Sequence, residues 1–97
     1  MAIYHAKMLN ATRGGEAGEY PFEGPDDLFN KTSDQVVRAF FLHVDRDIFH
    51  HHVDYEINAS FKSKEGDAVT AMGSLILNDQ SHLPFILLIS IHEPADP

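Results

Sequence analysis

Cysteine is absent from this 97-residue chain, which excludes disulfides, thiolate nucleophiles and every cysteine-ligated zinc or iron–sulfur site. No apolar run approaches the roughly 18 residues of a membrane-spanning helix, so none is expected. The stretch from Met1 to Lys7 lacks a basic region followed by a long apolar run. A signal peptide is therefore not expected, and a cytoplasmic protein is. Positive charge is scarce: seven Lys and Arg stand against fifteen Asp and Glu, a formal net charge of −8 at pH 7 with histidine neutral. That field repels phosphate backbones and anionic lipid, so neither nucleic acid nor a membrane surface is an expected partner. Catalytic signatures are missing as well. No serine sits in a Gly-x-Ser-x-Gly elbow, no His-Glu-x-x-His run occurs, and Gly14, Gly15 and Gly18 lack the Gly-Lys-Ser/Thr ending of a phosphate loop. No cofactor is implied.

What remains is the composition of an ordinary globular chain, 43% apolar and 23% charged. Residues 1–97 read as a single domain with a frayed tail over 93–97, where two prolines end any strand. The organising stretch runs from Thr32 to Phe49. Val36, Val37, Phe40, Phe41, Val44 and Ile48 gather on one side of a helix at about 100° per residue, the pattern of an amphipathic element packed on a core. Thr32 followed by Gln35 reads as a capping box, with Leu28 and Phe29 packing under the helix start.

The rest of the chain reads as strand and turn. Ala2–Ala11 is a weakly alternating strand, and 19–23 returns as a short partner held to a sheet edge by Pro21. After the helix the period becomes two. Val53, Tyr55, Ile57, Ala59 and Phe61 share one face, and Asp54, Glu56, Asn58, Ser60 and Lys62 the other. Strands over 68–77 and 83–91 complete a meander, with Gly66 in the first turn. The order β-β-α-β-β-β specifies an α+β protein, one amphipathic helix packed on an antiparallel sheet. Val69, Ala71, Leu75, Leu77, Phe85, Leu87, Ile89 and Ile91 join the first parity under the helix.

Met72, Ile76, Ile86 and Leu88 form a second apolar set on the opposite parity, which a sheet bare to water would not favour. The N-terminal strand pair, a second copy of the chain or a ligand could cover it. Leu42 and Phe49, stacked on the helix face away from the core, form another candidate partner contact. These residues imply a non-enzymatic interaction or assembly module, most simply a homodimer. The alternative is a small-molecule or metal-binding protein using a pocket between helix and sheet. Its candidate ligands are His43, Asp47 and His50, at i, i+4 and i+7 of the helix, and Glu56 on the following strand. The turn of period at His50-His51-His52 predicts that at least one of these rings is partly buried.

Overall fold

Thr32 starts the helix as its sequence predicts. Its hydroxyl accepts a hydrogen bond from the Gln35 N–H at 3.2 Å, and the Gln35 side-chain carbonyl accepts from the Thr32 N–H at 3.1 Å. Two backbone donors that the helix itself cannot satisfy are thereby paired. Thr32→Ala is expected to cost about 1 kcal/mol by urea denaturation, and an unchanged midpoint would show that the cap contributes nothing.

The structure, a computed structural model, describes residues 2–10, 17–48, 50 and 53–91. In chain order the elements are β1 (Ala2–Asn10), β2 (Ala17–Gly24), a 3₁₀ turn (Leu28–Asn30), α1 (Ser33–His43), a π-helical turn (Val44–Ile48), β3 (Asp54–Lys62), β4 (Ala68–Ile76) and β5 (His82–Ser90). All five strands form one antiparallel sheet in the order β2-β1-β5-β4-β3. The α+β architecture of one helix on an antiparallel sheet is the observed fold. The α-helix proper ends at His43, earlier than the periodicity predicts. The backbone then widens into the π turn, and His50 takes a left-handed conformation (φ 57°), common where a helix exits.

The core lies between α1 and one face of the sheet. Val36, Val37, Phe40 and Phe41 from the helix meet Tyr4, Phe22, Val69, Phe85, Leu87 and Ile89 from the strands, all buried. Phe40 packs its ring against Tyr20, Phe22 and Phe41 with centroids 6.1, 5.7 and 5.3 Å away. Phe41 stacks on Tyr55 at 4.1 Å and meets Phe85 edge-on at 5.4 Å. The Tyr4 hydroxyl, buried beneath the loop, donates to the Pro25 carbonyl, and burial pushes its pKa up.

One suggested cover and two sets of predicted placements are corrected. The N-terminal pair does not cover the second face of the meander. β1 pairs with β5 in the same sheet, Lys7 opposite Leu88 and Leu9 opposite Ile86, so β1 and β2 widen that face instead. The second correction concerns β3, whose alternation does not run unbroken. Ile57 pairs with Gly73 and Ala59 with Met72, leaving Asn58 as the extra residue of a β-bulge. A bulge reverses the parity of everything beyond it. Phe61, predicted beneath the helix, therefore points away from it and is 64% exposed. Ser60 and Lys62, predicted on the outer face, turn under the helix start. Ser60 bonds the Ser33 hydroxyl at 2.7 Å and the Asp34 carboxylate. The Lys62 ammonium donates to the Phe29 and Lys31 carbonyls at 2.8 and 2.7 Å. Leu77 and Ile91, also predicted beneath the helix, lie just past the ends of β4 and β5 and are exposed.

Candidate functional site

The sheet face opposite α1 carries the largest group of exposed apolar side chains that the register brings together. Leu9 on β1, Ile86 on β5 and Met72 on β4 lie side by side as cross-strand partners, with Ala59 next in line on β3. One step along, Leu88 pairs with Thr70, and Thr70 with Phe61. Leu9, Phe61, Met72, Ile86 and Leu88 are each between 43% and 64% exposed. Ile76 is farther along the same face, opposite Asp54 and His82.

The face is not flat. A concavity of about 420 Å³ is lined mainly by Leu9, Asn58, Met72, Ser74, Pro84 and Ile86. Gly73 also lines it, at a position where a side chain is excluded on the buried side. A Cβ there would lie 1.9 Å from the Glu56 carbonyl oxygen, two residues before the bulge of β3. An isolated glycine inside a strand marks such a close approach. That glycine was the one signal in the sequence that could have found the irregularity, and through it Phe61, which parity alone put in the core. Leu9 was missed for a different reason: its face became part of this surface only when β1 paired with β5.

The polar candidates separate. His43 Nδ1 lies 2.9 Å from an Asp47 carboxylate oxygen, and its ring packs on Phe22 with centroids 5.8 Å apart. Arg46 donates to the same oxygen from Nε and Nη2, both at 3.3 Å. Hydrogen bonding from Arg46, seconded by His43, holds the Asp47 carboxyl below the usual carboxylate range. Side-chain pairs this exposed contribute little to stability. A shallow depression of about 340 Å³ adjoins them, lined also by Ile3, Pro21 and Glu23. His50 is exposed; His51, His52 and Phe49 are outside the described residues. Glu56 is on β3 opposite Ser74, beside a depression of about 470 Å³ that also takes in Asp34, Arg38, Asp54 and Tyr55. Burial raises the pKa of the Tyr55 phenol. Of His43, Asp47, His50 and Glu56, only the first two are thus shown in contact. Among the described residues, no three His, Asp or Glu side chains converge as a metal site would require.

Leu42 is 62% exposed on α1. With the helix between it and the sheet, it belongs to a different surface from Met72, Ile86 and Leu88. No helix among the described residues is long and apolar enough to cross a membrane. Comparison with known protein families, curated proteins and solved structures finds no match to this chain.

Proposed function

We propose that this protein is a non-enzymatic interaction and assembly module whose working surface is the sheet face opposite the helix. The observation that carries the reading is the row Leu9–Ile86–Met72, flanked by Leu88 and Phe61, on a face that no other described element packs against. The largest contiguous apolar patch on a domain is often its functional surface. Exposed singly such side chains would need no explanation; gathered by register on one face, they do. The competing reading, a ligand held between helix and sheet, is left the two marginal depressions beside His43–Asp47 and beside Glu56, because Phe40, Phe41, Leu87 and Ile89 fill the space between.

Urea denaturation of Ile86→Ser and Met72→Ser at 1 and 100 µM protein tests this. For a face free in the isolated chain, each is expected to change stability by no more than about 0.5 kcal/mol where the chain is dissociated. A loss of about 2–5 kcal/mol that is the same at both concentrations is the signature of a core position. It would mean that the chain covers this face with its own residues, and the reading would fail.

A further inference from the structure

Resting on the reading of the bare face as an interaction surface, we infer that its occupant is a second copy of this chain, packed sheet on sheet about a two-fold axis. Three features select that partner. The first is area. Five strands spaced roughly 4.8 Å apart, four of nine residues and one of eight at roughly 3.3 Å each, make a face of about 700 Å². A stable interface of standard size takes about 800 Å² from each partner, so the whole face, including its margins at Lys7, Glu19, Glu23, Asp54 and Glu56, comes close to that size.

The second feature is shape. A two-fold contact must be self-complementary, the same patch serving as both knob and socket. This face has both. Phe61 is its most exposed large side chain, and the concavity bordered by Met72, Ser74, Pro84 and Ile86 begins one cross-strand pair farther along. A two-fold axis lying between two such faces, midway between knob and socket, seats each Phe61 over the other copy's concavity.

The third is that the sheet edges are unsuited to the task. β2 carries Pro21 between Glu19 and Glu23, and β3 carries the bulge at Asn58 beside Asp54 and Glu56. Proline, bulges and edge charges are the devices by which strands avoid pairing edge to edge. The middle of the face, by contrast, brings together Leu9, Ile86, Met72, Leu88 and Phe61, with Lys7, paired to Glu19, beside Leu88. Association through it closes at two copies, whereas edge pairing would propagate.

Sedimentation equilibrium of the full chain from 1 to 200 µM decides the matter, with circular dichroism confirming that each variant is folded. Wild type is expected at twice its 10.9 kDa mass at about 100 µM, since interfaces of this size hold at micromolar Kd or tighter. Ile86→Glu and Phe61→Asp, each placing a charge in the contact, are expected to weaken dimerisation at least roughly 30-fold. Leu42→Glu, on the opposite side of the molecule, is expected to dimerise as wild type does. A second-copy occupant is ruled out by a monomeric wild type at about 100 µM, by assemblies that keep growing with concentration, or by sensitivity to Leu42→Glu in place of Ile86→Glu. If wild type is monomeric while the serine variants above leave its stability unchanged, the face is free and the partner is another protein. If those variants cost stability at every concentration, the interaction reading itself has failed.

Discussion

Phe40→Ala is expected to lower unfolding free energy by about 3–5 kcal/mol, because it deletes a large side chain from a packed interior that cannot collapse around the void. The upper part of that range applies here. The Phe40 ring is fully buried and meets three other rings, Tyr20, Phe22 and Phe41, within 6.1 Å. Aromatic pairs of this kind add about 0.5–1.5 kcal/mol each beyond the area they bury. For a domain whose whole stability is about 5–15 kcal/mol, the loss is large. In a chain of this length each kcal/mol lowers Tm by roughly 4–8 °C, so the effect is plain in a thermal melt. Leu42→Ala, two residues away and exposed, provides the control and is expected to stay within about 0.5 kcal/mol of wild type. Equal effects at the two positions would mean that the helix does not present Phe40 to the sheet.

Gly73→Ala is expected to destabilise by as much as or more than ordinary overpacking, which costs about 1–3 kcal/mol. The atom in the way is the Glu56 carbonyl oxygen, 1.9 Å from where the new Cβ would sit, with the Glu56 carbonyl carbon 3.0 Å away. A flexible side-chain tip could swing aside. Backbone held in a sheet ladder cannot, so β3 must separate locally from β4. We attribute the clash to the bulge that begins two residues after Glu56, so deleting Asn58 should relieve it. Without Asn58, the pairings Ile57–Gly73 and Ala59–Met72 become consecutive, and every later side chain keeps its observed face. The double variant is therefore expected to be less destabilised than the sum of its parts, with a coupling of about 1–3 kcal/mol in a denaturation cycle. Strict additivity would show that the bulge is not what requires glycine at position 73.

These two residues mark where one-dimensional reading succeeds and where it stops. Phe40 was legible because a helix repeats every 3.6 residues whatever it packs against. Gly73 was visible as a letter, but its meaning depends on a carbonyl seventeen positions earlier in the chain. The alternation from Val53 to Phe61 looks unbroken, yet it is interrupted at Asn58, because an inserted residue changes facing without changing composition. Ser60 and Lys62 looked like solvated positions and instead hold the start of the helix.

The sequence by itself determined the α+β class, the order of elements, the capping box at Thr32 and Gln35, and the helix residues that enter the core. Each depends on local periodicity or on groups three or four positions apart, and such distances are set by the backbone geometry of a single element. It also placed Met72, Ile86 and Leu88 on one face of a meander. Tertiary structure alone decided that β1 would lie against β5, that Leu9 and Phe61 would join that face, and that Leu42 would belong to another surface. It also decided that His43 and Asp47 would pair without His50 or Glu56 in contact with them. Strand order and register are chosen by summed packing across the whole sheet, where one bulge reverses the facing of all residues beyond it. No local window of the chain contains that sum.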